Sequence, residues 1–293
     1  MKTNAIVRII LFSITIIILL GLLAGGLLLG VYTYDVETFV DGISNNIDTA
    51  IIDDSAISDA VTFDPDQIKD IEIDWAAGSI TIQPSNTDTI QIMESEVSDS
   101  KDAMVYKQSG SKLTIEYCKS ASAWGGINFG SDPSKHLVIT VPEGWSCNSL
   151  EIDAAAAGVE VSNLTIKEVD LDGASGRCEF TNCTVDEIDL DTASGDFHFS
   201  GSLEILDCDA ASANCKINVT NIPKRITLDS ASGSLDLTLP ENCGFSCSLS
   251  SLSGHFSSDF ATTSNGDNYL YGDGSCRIDV SAMSGDVTIR KGS

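Results

Sequence analysis

A phrase of the form apolar–x–apolar–Asp–x–Ala–Ser–Gly–x–apolar–x–apolar recurs about every 18 to 21 residues between Ser149 and Arg290. It is clearest at Leu171–Gly176, Leu190–Gly195, Cys208–Ala213 and Leu228–Gly233, with a looser copy at Ile152–Ala157. Leu249–Gly254 and Val280–Gly285 repeat it with Ser in place of the Asp. A unit this short cannot bury a core of its own. Its stable form is a stack in which each copy covers the next.

Alternation within each copy sends the apolar set inward and the remaining residues outward. One wall takes Val169 and Leu171, Ile188 and Leu190, Leu206 and Cys208, and Ile226 and Leu228. Beyond the Ala–Ser–Gly bend, a second wall takes Cys178 and Phe180, Phe197 and Phe199, Cys215 and Ile217, and Leu235 and Leu237. A shorter third wall holds Leu164 and Ile166, Cys183 and Val185, and Leu203 and Ile205. Asn163, Asn182, Gly201 and Asn221 stand before that third wall, or at its counterpart, and are residue types that accept left-handed turn conformations. The expected fold is all-β: a parallel β-helix, or β-solenoid, with rungs of about 18–21 residues. Glycosylation tripeptides begin at Asn163, Asn182 and Asn218, and the turn requirement accounts for the first two.

From Ile9 to Val31 no residue is charged. Such a run exceeds the roughly 20 residues that span the hydrocarbon core of a bilayer as a helix. A cleavable signal peptide would carry a shorter apolar region, about 7–15 residues, ending at a small-residue site. Lys2 and Arg8 precede the span and Asp35, Glu37 and Asp41 follow it, which places the N-terminus in the cytoplasm and the C-terminal domain outside. The expected organisation is a cytoplasmic tail over 1–8, a transmembrane helix over 9–31, an acidic linker over 32–66, an N-terminal β cap over 67–145 and solenoid repeats over 146–293. A cap is required because a bare first rung would expose unpaired backbone and apolar core. At the other end, Arg290 and Lys291 read as charges that discourage strand addition to a terminal edge.

The Asp–x–Ala–Ser–Gly phrase, the Pro142–Glu143 and Pro240–Glu241 turns and the closing Tyr271–Ser275 and Ser284–Val287 segments resemble the bacterial "putative-adhesin" β-strand-repeat family. That resemblance covers roughly 68–293. It implies a domain of unknown function, often held behind a membrane anchor in Gram-positive bacteria and associated with the cell envelope. It supplies no catalytic residues.

Against 43 Asp plus Glu stand 16 Lys plus Arg, a net charge of −27. Such an excess repels phosphates and excludes nucleic acid as a partner. Much of it falls on outward positions of the first wall: Glu72 and Asp74, Glu151 and Asp153, Asp170 and Asp172, Asp189 and Asp191, Asp207 and Asp209, and Asp229. Stacked carboxylates about 5 Å apart repel by roughly 0.8 kcal/mol in water. Asp153, Asp172, Asp191, Asp209 and Asp229 are therefore the candidate ligands for weakly bound Ca²⁺, set against a solvated face that keeps a long sheet soluble. No cofactor is expected beyond such an ion.

Nine cysteines, an odd number, leave at least one without an intramolecular mate. Cys178 and Cys215 share a column but stand two rungs apart, about 9.6 Å, beyond bridging range. Cys178, Cys183, Cys208 and Cys215 read as small buried apolar residues. Cys118, Cys147, Cys243, Cys247 and Cys276 lie nearer loops, where bridges stay open as an alternative. His136, His198 and His255 lack any motif-placed nucleophile or carboxylate.

The expected function is non-enzymatic: a membrane-anchored extracytoplasmic module, adhesin-like or structural, with a cell-wall, glycan or envelope protein partner. The alternative is an envelope-stress signalling component that works through a membrane partner. A Ca²⁺-dependent polysaccharide-active enzyme stands third. That chemistry needs a Lys or Arg near the metal, and the one long excursion, 255–275, contains neither.

Overall fold

The computed structural model describes residues 60–97, 103–117 and 134–292. The expected tail, the 9–31 span and nearly all of the 32–66 linker lie outside those residues. Every regular element among the described residues is a β-strand, and the strands join into one continuous, mostly parallel coil. The architecture is the all-β solenoid that the repeat predicts.

The N-terminal part comprises β1 (Val61–Phe63), β2 (Asp70–Ser85), β3 (Ile90–Ser95), β4 (Val105–Ser109), β5 (Lys112–Glu116) and β6 (Lys135–Pro142). The middle is β7 (Ser146–Ser162), β8 (Thr165–Ser175), β9 (Cys178–Val219), β10 (Arg225–Ser232) and β11 (Leu235–Leu239). Within it, β9 runs continuously around its corners for 42 residues. Pairing is parallel and in register. Ile152 lies beside Leu171, Leu171 beside Leu190, and Cys208 beside Leu228 on the first wall. Val159 lies beside Cys178 and Cys215 beside Leu235 on the second. Like therefore stacks on like, and the inward columns named from the sequence are buried, except that Cys178 and Ile205 are only half-buried.

The C-terminal part is β12 (Phe245–Ser253), β13 (Phe256–Ser258), β14 (Thr263–Asn265), β15 (Asn268–Tyr271), β16 (Cys276–Ser284) and β17 (Val287–Lys291). Here chain order and spatial order part company. β16 lies between β10 and β12, and β17 between β11 and β13. Arg290 and Lys291 thus guard no edge, which corrects the sequence expectation. β17 is inserted one rung inside the stack, where Val287–Ile289 are paired on both backbone edges and Arg290 and Lys291 on the β11 side. Arg290 instead bonds Asp236 at 2.8 Å, and Lys291 lies 5.3 Å over the Phe260 ring. In the N-terminal cap β2 does the same: it is flanked by β7 on one side and by β5 and β6 on the other. The outermost positions are covered by antiparallel strands, with β3 and β1 beyond β6, β4 on β5, and β15 and β14 beyond β12.

The N-terminal cap closes on a buried ion pair. Lys135 Nζ sits 2.9 Å from Glu94 Oε2, with 4% and 8% of their side chains exposed. It also lies over the Tyr117 and Trp75 rings, at 4.0 and 5.0 Å, while Trp75 Nε1 donates to the Lys135 carbonyl. The second carboxylate oxygen accepts from Met104 N at 2.8 Å. Both charges are compensated by hydrogen bonds and ring faces, as burial at this depth requires.

The bends depend on close backbone approach. Gly195 has φ +148°, and a Cβ there would stand 2.1 Å from the Gly176 carbonyl oxygen. Asn163 and Asn182 adopt the left-handed conformation at φ 56° and 54°. Asn221 solves its turn differently: its amide bonds both the N and the O of Leu203.

Two predictions follow from this packing. Gly195→Ala should cost at least about 2 kcal/mol in denaturant midpoint, because strain and collision combine. Gly158→Ala, whose Cβ would meet nothing closer than 3.8 Å, should be near neutral. Lys135→Met leaves Glu94 buried without its cation and should cost about 3–5 kcal/mol. Adding Glu94→Leu should recover most of that loss in the same unfolding assay.

Candidate functional site

Register converts the outward Asp residues into a ladder. Glu72 and Asp74 pair with Glu151 and Asp153, these with Asp170 and Asp172, and these with Asp189 and Asp191. Asp207 and Asp209 follow, beside Thr227 and Asp229. The ladder ends where the phrase switches to Ser, since Asp229 abuts Ser281 and Ser281 abuts Ser250. Of the five candidate ligands, Asp153, Asp172, Asp191 and Asp209 are exposed and Asp229 is half-buried. They form one column along the wall and do not converge. Among the described residues no group of three or more His, Cys, Asp or Glu is arranged to hold a metal ion.

Six of the ladder's carboxyls are harder to ionise than usual. Burial, followed by the neighbouring carboxylates Asp229 and Asp191, pushes Asp209 up to about 6. Burial and like-charge neighbours also raise Asp74, Asp153, Asp170 and Asp191; at Asp229 the same two effects outweigh a lowering hydrogen bond from Ser281. Glu72 is the exception. Burial raises it, but hydrogen bonds from Lys112 and Thr114 and the Lys112 charge leave it below the usual value. Lys112 spans the ladder's end, 2.9 Å from Glu72 and 3.2 Å from Glu151.

Cross-strand pairing also builds a group that sequence spacing could not show. His136 Nδ1 is 2.7 Å from Ser79 Oγ, and His136 Nε2 is 3.5 Å from Glu96. Ser, His and Glu are the residue types of an acyl-transfer triad. Among the described residues they lie on an open wall, with the His side chain 43% and the Glu 64% exposed. Among the described residues the three side chains form a surface hydrogen-bond network. His255 sits 3.4 Å from Asp286, and His198 is half-buried on the outer face of the second wall.

A cleft of about 350 Å³ lies at the C-terminal cap. Its floor is the outer face of β12 and β16, carrying Ser246, Ser248, Arg277 and Asp279; its far wall is the β14–β15 hairpin, carrying Thr263, Asn265 and Asn268. Aromatic packing holds the excursion down. Phe256 stacks on Tyr269 at 3.8 Å, and Phe245, Phe260 and Tyr271 form a tilted cluster. The one cation, Arg277, is neutralised by Asp279 at 2.5 Å. Cys247 also lines the cleft, but burial pushes its thiol up to about 12, so no thiolate is available there at neutral pH. The cleft therefore presents hydroxyls, amides and one internally compensated ion pair beside the apolar surface of Tyr269 and Leu270. The sequence marks the excursion by its length but not the floor beneath it, because the floor comes from β16 inserted beside β12.

The raised carboxyls have a sign. A carboxyl whose folded pKa exceeds its unfolded one binds more protons when folded, so stability rises as pH falls through that window. The melting temperature should rise between pH 7.5 and about pH 5, and NaCl should raise it at pH 7.5 by screening the ladder. Asp209→Asn should raise it at pH 7.5 and flatten the pH dependence. Thermal unfolding monitored by circular dichroism checks all three.

Comparison with known proteins bears on the fold. A "putative cell adhesion protein" from Clostridium sporogenes is 11% identical, with 80% of this chain and 99% of that one covered and a TM-score of 0.37. A "putative adhesin" from Bacteroides fragilis is 13% identical, covering 80% and 96%, at 0.40. A "putative lipid binding protein" from Parabacteroides distasonis is 13% identical, covering 83% and 99%, at 0.30. No curated protein matches. Residues 68–290, the cap and all the rungs, match the family described as Toastrack DUF4097, and the chain belongs to that family.

Proposed function

We propose that this protein is a non-enzymatic binding module of the cell envelope. Its anchor is the apolar 9–31 segment, its N-terminus is cytoplasmic and its solenoid is extracytoplasmic. The observation that carries the reading is the electroneutral cleft at the C-terminal cap, set on a chain of net charge −27. Hydroxyl and amide side chains with a compensated Arg–Asp pair suit a neutral polyhydroxyl ligand such as a cell-wall saccharide, whose hydroxyls both donate and accept. An anionic ligand would have to approach through the field of the Asp ladder.

The physical case against catalysis rests on the same groups. Arg277 and Asp279 satisfy each other, the Cys247 thiol stays protonated, and the Ser79–His136–Glu96 group is exposed among the described residues. Ca²⁺ enters this reading only as a diffuse counter-ion of the ladder.

The test uses the full chain in detergent, titrated with soluble cell-wall glycan fragments and with extracellular matrix proteins, in EGTA and in CaCl₂. Saturable glycan binding in both buffers, weakened at least tenfold by Arg277→Ala or by Asn268→Ala, is the expected result. Binding that needs CaCl₂ and disappears with Asp191→Asn plus Asp209→Asn would move the site to the ladder. Clean absence of binding would favour the signalling alternative, a partner within the same membrane. Ester hydrolysis abolished by Ser79→Ala would overturn the non-enzymatic reading.

A further inference from the structure

Cys208 and Cys215 occupy facing positions of one rung, across the bend formed by residues 209–214. Their sulfurs are 3.6 Å apart, and the residues are 0% and 1% exposed. In neighbouring rungs the same two positions hold bulkier hydrocarbon pairs: Leu190 with Phe197, Leu228 with Leu235, and Val280 with Val287. Two thiols are a poor exchange for such a pair by volume alone.

Two other buried cysteines find oxygen acceptors. Cys147 Sγ donates to the carbonyls of Lys69 and Ser149, and Cys183 Sγ lies 3.5–3.6 Å from those of Val161 and Thr181. The contact that Cys208 makes is with Cys215, while their column neighbours Leu228 and Leu235 offer only hydrocarbon. The same rung also lacks the bend glycine, with Ala213 in its place.

We propose that Cys208 and Cys215 form a disulfide that staples the two walls of this rung together. Bond formation needs an approach to about 2.05 Å, a closure of roughly 1.6 Å shared between two side-chain rotations. The oxidant is a disulfide compound or a disulfide-bearing oxidoreductase met while the rung is still open. The thiolate of one cysteine attacks a sulfur of that disulfide, forming a mixed disulfide and expelling one oxidant thiolate. The second cysteine's thiolate then attacks the mixed disulfide at the protein sulfur and expels the other. Two protein thiols are oxidised, the oxidant is reduced to two thiols, and the two protons leave with them. Once the rung is stacked its sulfurs lie out of reach, so the bond belongs to folding and not to a reversible surface switch.

Two samples of the full chain test this. One is extracted in detergent with N-ethylmaleimide present from lysis; the other is unfolded in guanidinium and refolded in mixed oxidised and reduced glutathione. Each is denatured, alkylated, digested at aspartate so that cleavage before Asp209 separates the two cysteines, and mapped by mass spectrometry. A linked Cys208–Cys215 peptide in either sample, lost on reduction and replaced by alkylated Cys215 in Cys208→Ala, is the expected result. Cys208 and Cys215 both alkylated in both samples, or each linked to a different cysteine, would overturn it.

Discussion

Parallel, in-register hydrogen bonding between rungs about 4.8 Å apart is the constraint on which everything else rests. It forces each residue to lie on its counterpart one repeat away, so any property of one rung is copied along a column. Inward, copying is favourable: Ile152, Leu171 and Leu190 make a continuous apolar column. At the bends it demands small residues, since each backbone approaches the next as Gly195 approaches Gly176. Outward, the same copying turns one Asp per phrase into a ladder of like charges, and burial together with those neighbours raises Asp191 and Asp209. The cohesion of the core carries the repulsion of the surface.

A stack of identical layers has no natural end. Its last strands would present unpaired N–H and C=O groups to any other chain. This protein answers by inserting β2 and the β16–β17 segment one place inside the ends and covering the outermost positions with antiparallel strands. These inserted segments are then paired on both sides. At the N-terminal end the cover is fastened by Lys135 and Glu94, a pair far apart in sequence that only the antiparallel β3–β6 contact brings together.

Periodicity makes the inward columns, the bends at Asn163 and Asn182 and the acidic face legible from the sequence, because each is a local pattern repeated. It gives little purchase on what breaks the pattern. Nothing in Ile278–Val280 says that this strand lies beside Ile226–Leu228 before its chain neighbour Cys247–Leu249 does, since all three copies of the phrase fit either slot. Arg290 and Lys291 therefore read as an edge when they are interior. The contact of Cys208 with Cys215 lies within one rung, where spacing along the column, the basis for setting Cys178 and Cys215 apart, says nothing. Ser79, His136 and Glu96 meet through cap pairings that no repeat encodes.

The same logic locates specificity. On a regular wall each outward side chain is echoed above and below, so the wall offers a ligand many equivalent weak positions and no unique one. A distinct site can arise only where copying stops. At the C-terminal cap it stops for a topological reason: the chain leaves β13, builds the β14–β15 hairpin, and returns as β16 beneath β12. That excursion seals the edge of the stack, and in closing over the outer face of β12 it walls off the cleft. Arg277 and Asp279 belong to the returning strand, where the ladder's Asp has become Ser281, so the acidic column ends beside the neutral floor. The device that ends the solenoid and the surface best suited to a neutral ligand are one piece of chain.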